Sequence, residues 1–94
     1  MPRAREELRD IRQYIARGSR QHARNFVGRV DAAIQRLAIF PLSGRLVPDD
    51  ERGELREVFV QGYRVMYRVK DDDVEIAAIV HGARRLTDLP DTQE

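Results

Sequence analysis

The sequence predicts an α+β fold in which an N-terminal antiparallel helical hairpin packs on a three-stranded antiparallel β-meander. Apolar residues recur at helical spacing through about the first 40 positions and then give way to short runs rich in β-branched and aromatic residues. Short separators join these later runs, which favours antiparallel hairpins. The 94 residues fit one domain, so we expect a single unit over residues 1–94.

The first predicted helix covers about residues 3–17. Its apolar stripe follows spacings of four, three and four, and consists of Ala4, Leu8, Ile11 and Ile15. Gly18 suits the position just after the helix end, and Ser19 suits the N-cap of a second helix. The chain therefore predicts a helix, a short break and another helix.

The second predicted helix covers about residues 20–39. Its apolar stripe again has helical spacing and consists of Ala23, Phe26, Val27, Val30, Ile34, Leu37 and Ala38. Pro41 disfavours helical geometry at Phe40, so the helix is expected to end there. Because the break between the two helices is short, they are predicted to lie antiparallel.

The remaining chain predicts a loop, three strands and a tail. Residues 41–54 combine proline, glycine, serine and an acidic cluster, which indicates a connecting loop. Strands are predicted at about residues 55–60, 63–69 and 74–81, with turns at Gln61-Gly62 and at residues 70–73. Residues 86–94 are interpreted as a frayed tail.

Alternation in the second predicted strand indicates one buried and one wetter face. The buried face would hold Val65, Tyr67 and Val69. The wetter face would hold Arg64, Met66 and Arg68. The third strand is apolar on both faces in its latter half, which favours a central or well-covered position in the sheet.

The composition excludes several kinds of site. Without cysteine the chain has no disulfide, no cysteine-ligated metal and no thiol nucleophile, and it is compatible with a reducing compartment. No apolar run approaches a membrane-spanning length, and no apolar signal region follows the N-terminus. We therefore expect a cytoplasmic protein with no metal, no cofactor and no membrane contact.

Charge is distributed unevenly along the chain. Residues 1–47 hold ten arginines against four acids, about +6, while residues 48–94 hold seven basic residues against twelve acids, about −5. Lys70 is the only lysine. Two interpretations remain open. The arginines form ordinary solvated helix faces, or they form one basic surface for an acidic protein or a nucleic acid.

One interpretation assigns catalysis to residues at the strand ends. His81 closes the last predicted strand and is followed by Arg84, while Arg56 and Arg64 lie on the neighbouring strands. Guanidinium groups can stabilise a phosphorane-like transition state while His81 or a tyrosine moves a proton. This set describes a metal-independent ribonuclease that acts through the RNA 2′-hydroxyl.

A structural interpretation of the same residues is favoured from the pattern alone. Two arginines would pair across strands, Arg64 with Glu57 and Arg68 with Glu75. Tyr67 would fill the core, and His81 would bind a nearby carbonyl. His22, alone on its helix, is interpreted as a surface residue. The sequence contains no Gly-rich phosphate loop, metal-ligand cluster or nucleophile elbow.

Three stretches of the chain together carry a resemblance to a known family. Residues 4–26 contain REELRDIRQYIA followed by RGSRQHARNF, and residues 37–45 read LAIFPLSGR. The third stretch combines LRE at 55–57, YRVMYRV at 63–69 and IVHGAR at 79–84. In this order, and over nearly the whole chain, the stretches resemble the RelE/ParE toxin superfamily, especially its ParE branch.

The start of the chain departs from the family pattern. Members usually begin with a β-strand before the first helix, whereas Pro2-Arg3-Ala4 leads almost directly into it. Either the start is truncated, or this member has three strands and one edge of the sheet is left open. A partner could cover such an edge by adding a strand.

The resemblance implies a growth-inhibiting toxin of a type II toxin–antitoxin system. It implies a cognate, ParD-like antitoxin whose C-terminal segment wraps the toxin in a hetero-oligomer. ParE-like toxins poison DNA gyrase, and we rank this function first. Ribosome-dependent cleavage of messenger RNA, as in the RelE branch, ranks second, and an inactive partner-binding module ranks third.

The resemblance and the charge pattern give two sets of candidate residues. We expect the antitoxin to lay a hydrophobic, acidic helix along the basic hairpin and the sheet groove. Candidates for binding the antitoxin or the target are Arg5, Arg9, Arg12, Arg45, Arg64, Tyr67 and Arg84. If the chain is a nuclease, the candidates for catalysis are Arg56, Arg64, His81 and Arg84.

Overall fold

Two helices open the chain in the computed structural model, which describes residues 2–82. α1 spans Pro2–Ala16 and α2 spans Arg20–Ile39. Ser19 is the N-cap of α2, because its hydroxyl oxygen accepts a hydrogen bond from the His22 backbone N–H at 3.1 Å. Both predicted helices and the predicted N-cap are confirmed, whereas the predicted tail at 86–94 lies outside the described residues.

Four antiparallel strands follow the helices, in the spatial order β1-β2-β3-β4. They are β1 (Arg45–Leu46), β2 (Arg56–Val60), β3 (Tyr63–Lys70) and β4 (Asp73–His81). The predicted α+β class is confirmed, and the three predicted strands are present. The predictions of a three-stranded sheet and of a loop throughout residues 41–54 missed β1. A strand of two residues is too short to show alternation in the sequence.

Both hairpins of the meander turn through residues with positive φ. Gln61 (φ 50°) and Gly62 (φ 84°) join β2 to β3, as a two-residue hairpin turn requires. Asp71 (φ 57°) begins the turn between β3 and β4. This second turn is shorter than predicted, because Lys70 and Asp73 pair with each other as strand residues.

The helical hairpin packs on one face of the sheet. Phe26 and Val30 of α2 are fully buried against Val60, Val65 and Ile79 of the strands. α1 adds partly buried side chains to this core, namely Leu8, Ile11 and Ile15. The apolar stripes predicted from helical spacing therefore form the main core. Neither described helix is long and apolar enough to cross a membrane.

The other face of the sheet is also covered. Val47 and Leu55, from the segment between β1 and β2, pack against Met66, Ala78 and Val80. The prediction that β3 has one wetter face is wrong for Arg64 and Met66, which are buried. The connection between β1 and β2 folds back over this face of the sheet. The periodicity of β3 alone cannot predict a contact with another segment of the chain. Arg68, by contrast, is only partly buried.

β4 lies at an edge of the described sheet and not at its centre. Its latter half is nevertheless buried, because α1 covers one face and the segment after β1 covers the other. The outer edge is not fully open either. Glu7 of α1 accepts a hydrogen bond from the Ile79 backbone N–H at 2.7 Å, and its other carboxylate oxygen accepts one from Arg3 at 3.2 Å. A helix side chain thus blocks part of this edge of the sheet against an added strand.

The contact between Glu7 and β4 predicts a measurable loss of stability on truncation. Glu7→Ala leaves the Ile79 N–H without its charged acceptor, so we expect the free energy of unfolding to fall by roughly 1–3 kcal/mol. Urea denaturation followed by circular dichroism measures this change. Glu6→Ala, at an exposed neighbouring position, serves as the control and should stay within about 0.5 kcal/mol of wild type. Equal stability of the two variants would contradict a stabilising role for the edge contact.

Candidate functional site

A groove runs between α2 and β2. It has a volume of about 460 Å³ and is lined by Arg29, Ala32, Ala33, Arg36, Leu37, Ser43, Val58, Phe59, Val60 and Gln61. We call it the α2–β2 groove. Leu37 and Val60 are buried in it, while Arg29 and Arg36 are exposed two helical turns apart on α2. The groove therefore combines an apolar floor with basic side chains.

One wall of the α2–β2 groove is a strand with a partly free edge. β1 pairs only with Arg56 and Glu57 of β2. Within residues 2–82, no strand pairs with the outer side of Val58–Val60. Backbone groups on such an edge can hydrogen-bond to an extended segment of another protein. On the opposite wall Ala32 and Ala33 are small, so a bound segment can approach the helix closely.

A buried tyrosine fixes the loop that leads out of α2. The Tyr67 hydroxyl donates a hydrogen bond to Pro41 O at 2.7 Å and accepts one from Gly44 N–H at 2.9 Å. Arg56 Nη1 donates to Gly44 O at 2.8 Å and reaches Leu42 O at 3.3 Å. We call these four bonds the loop anchor. A Cβ on Gly44 would lie 2.5 Å from the Tyr67 hydroxyl and 2.8 Å from Glu57 O, so only glycine fits.

A second set of bonds ties β1, β2 and β3 together around a buried carboxylate. Glu57 accepts hydrogen bonds at 2.6 Å from both Arg45 Nε and Arg64 Nε, and Arg64 also lies 3.6 Å from Asp49. We call these four residues the Glu57 cluster. Burial of a carboxylate costs several kcal/mol unless it is paired, and here two guanidinium groups neutralise it. The cluster therefore holds the start of the connection between β1 and β2 on the sheet.

The Glu57 cluster also orients an exposed cation at the rim of the groove. The Arg45 side chain is 61% exposed although its Nε binds the buried Glu57. Its guanidinium lies 5.3 Å from the ring centre of Phe59, an exposed aromatic side chain that lines the groove. Arg45, Phe59 and the α2 arginines thus form a basic, partly aromatic border.

The structure separates the residues predicted to form a nuclease site. Arg56 pairs with Tyr67, whereas His81 pairs with Tyr63, so the two lie about 13 Å apart along β3. The Arg56 guanidinium binds loop carbonyls, and the Arg64 guanidinium is buried on Glu57. The fourth candidate, Arg84, lies outside the described residues. Within residues 2–82, the side chains of Arg56, Arg64 and His81 therefore do not converge on one catalytic site.

The structural interpretation of the same residues agrees with the geometry. The predicted cross-strand pairs are confirmed, Arg64 with Glu57 at 2.6 Å and Arg68 with Glu75 at 3.6 Å. Tyr67 is in the core, as predicted. His81 is exposed and lies edge-on to Tyr63, with ring centres 5.6 Å apart. Its predicted bond to a carbonyl stays a prediction.

The predicted binding residues fall into three groups. Arg5, Arg9 and Arg12 are exposed along one stripe of α1, and Arg45 is exposed beside the groove. Arg64 and Tyr67 are buried, so they position the loop and the groove rim and do not present a side chain to a partner. Arg84 lies outside the described residues. In the part of the chain that is described, no group of three acids or histidines is placed to hold a metal ion.

Sequence reasoning missed the residues that build the groove. The missed set is Arg29, Arg36 and Phe59, whereas the pairing of Glu57 with Arg64 was predicted and only its second partner, Arg45, was missed. Two signals were available. Arginines seven residues apart flank the apolar stripe of α2, with the adjacent alanines between them. Glu57 interrupts an otherwise apolar strand next to Arg56, a position where a carboxylate needs a partner.

The fold and the groove together define a class of protein. This is a small α+β domain with a basic, apolar groove beside a free strand edge, a surface suited to a segment of another protein. The sequence matches the family described as ParE toxin of type II toxin-antitoxin system, parDE, over residues 1–86, and the chain therefore belongs to this toxin family. The predicted resemblance is thereby confirmed, and an antitoxin partner is implied. No curated protein matches the chain.

Proposed function

We propose that this toxin inhibits DNA gyrase and is neutralised by a cognate, ParD-like antitoxin that occupies the α2–β2 groove. The observation that carries the choice of target is that the chain belongs to the ParE toxin family, while the three predicted nuclease residues that the structure describes, Arg56, Arg64 and His81, are held apart or buried. The resemblance to ParE implies gyrase as the target. An inhibitor needs a binding surface and no assembled catalytic group, and this requirement fits the described residues.

The groove sets the chemistry of the antitoxin segment. Exposed Arg29 and Arg36 favour carboxylates, and the floor formed by Leu37 and Val60 favours apolar side chains. The free edge at Val58–Val60 offers backbone hydrogen bonds to an extended stretch. A hydrophobic, acidic segment satisfies all three features at once.

The hairpin extends the same chemistry beyond the groove. Arg5, Arg9 and Arg12 are exposed on α1, so an acidic helix of the antitoxin that continues over the hairpin would meet a second row of guanidinium groups. At physiological ionic strength, salt weakens the interaction between exposed charges over a decay length of about 8 Å, and this length shortens as salt rises. The affinity of the complex is therefore expected to fall as salt rises.

A charge placed in the groove tests the antitoxin site. Ala32→Glu adds an acid and bulk at an exposed position that lines the groove, so we expect the dissociation constant for the antitoxin to rise at least about tenfold. Titration calorimetry with the product of the adjacent reading frame measures it. The matched control is Ala38→Glu, on an exposed part of the same helix outside the groove, which should bind like wild type. Equal weakening by both variants, or no capture of the antitoxin by wild type, would contradict this site.

The choice of target predicts a pair of contrasting results in purified systems. The toxin should inhibit DNA supercoiling by gyrase, and added antitoxin should reverse this inhibition. Ribosomes that translate a defined transcript should continue to do so and leave the transcript intact. His81→Ala should not change the inhibition, because His81 has no catalytic role under this proposal and is not among the candidate binding residues.

Two other outcomes of these assays would select the alternatives. Transcripts cut only in the presence of ribosomes, with supercoiling unaffected, would favour a RelE-like endonuclease over the proposed inhibitor. Neither effect, together with tight antitoxin binding, would favour the inactive partner-binding module.

A further inference from the structure

Large apolar side chains are exposed in one short segment that runs from the last residue of α2 through β1. Four of them lie within residues 39–46 and are each more than half exposed: Ile39, Phe40, Leu42 and Leu46. We call this surface the 39–46 patch. Single exposed apolar residues are common on proteins, but four within eight residues form a concentration typical of interaction sites. None of the four lines the α2–β2 groove.

The backbone beneath the 39–46 patch is held in place, although its apolar side chains are free. Phe40 N–H donates to Arg36 O at 2.8 Å, and Ser43 N–H donates to Phe40 O at 3.1 Å, which closes a turn. The loop anchor then fixes Pro41, Leu42 and Gly44 from below. A side chain presented on a fixed loop loses less conformational entropy on binding than one on a mobile loop.

The charges around the patch restrict what can cover it. Residues 32–48 contain no acid, the exposed Arg36 precedes the patch, and the exposed Arg45 lies within it. The pocket beside Leu42 contains one acid, Glu54, against three basic residues, Arg56, Arg68 and Lys70. A second copy of the toxin packed symmetrically on this surface would bring like charges together, which disfavours a homodimer. A suitable partner offers an apolar depression bordered by carboxylates.

We propose that the 39–46 patch docks the protein target of the toxin, in an apolar depression of the target bordered by acidic side chains. The inference rests on the proposed function and adds the toxin surface that meets the target. The antitoxin is assigned to the α2–β2 groove, so the two partners use different apolar side chains. Arg36 lies at the border of both surfaces, since it lines the groove and precedes the patch. An antitoxin bound in the groove therefore stands beside the docking surface and obstructs it.

A charge introduced into the patch tests this proposal. Leu42 and Tyr14 are equally exposed, at 66%, but Tyr14 lies on α1 outside the patch. Leu42→Asp should raise the toxin concentration needed to inhibit gyrase supercoiling at least about tenfold and should abolish growth arrest on expression. The same variant should keep the thermal midpoint of wild type and bind the antitoxin within about twofold of wild type. Tyr14→Asp should behave like wild type in all four measurements.

Each other result overturns the proposal in a distinguishable way. Growth arrest by Leu42→Asp equal to that by Tyr14→Asp would overturn the docking surface alone. If Leu42→Asp still arrests growth but no longer binds the antitoxin, the patch belongs to the antitoxin and the target is rejected as its occupant. A wild-type toxin that does not arrest growth would reject the proposed function and this inference with it. If Leu42→Asp does not fold, the same measurements are made on Leu42→Ala, which adds no charge. This variant should lose gyrase inhibition and growth arrest to a smaller extent.

Discussion

The pairing of one buried carboxylate with two arginines is the interaction on which the rest of the molecule depends. Glu57 binds Arg64 within the sheet and Arg45 at its edge, both at 2.6 Å. Removal of the carboxylate would leave the Arg64 guanidinium buried without its closest counter-charge, and breaking a buried pair of this kind costs about 3–5 kcal/mol. A small domain has limited stability to lose. The position of β1, and of the connection that covers the second face, therefore depends on this cluster.

The Glu57 cluster and the loop anchor connect the core to both exposed surfaces. Arg45 leaves the buried carboxylate and ends above Phe59 at the border of the α2–β2 groove. Tyr67 and Arg56 hold the loop that carries the 39–46 patch. Buried polar groups thus set the geometry of apolar surfaces that the domain itself does not cover. This arrangement favours binding sites that are formed before a partner arrives.

The sequence was sufficient to predict the helices and strands that bury one face with a regular spacing of apolar residues. The stripes of α1 and α2 and the three longer strands follow from spacing alone, and Ser19 and Gln61-Gly62 follow from local backbone chemistry. β1 could not be predicted from the sequence, because its two residues form a strand only through their pairing with β2. The pattern predicted the Arg64–Glu57 pair and a core position for Tyr67, although both residues were also kept as binding candidates. It could not predict the bond of the Tyr67 hydroxyl to Pro41, which is 26 residues away in the chain. The groove was missed for the same reason, since its walls come from α2 and β2.

Hydrogen exchange of the free toxin tests most directly whether buried polar bonds hold the loop and β1 in place. The Gly44 N–H binds the Tyr67 hydroxyl, and the Val47 N–H binds Leu55 O at 2.9 Å. In wild type both amides should be protected to nearly the same degree as amides of β3, and Glu57→Gln should remove that protection before it affects α2. Glu54→Gln, at an exposed position, should leave the pattern unchanged. Exchange of the Gly44 and Val47 amides in wild type at the rate of an unstructured peptide, with β3 still protected, would contradict the account.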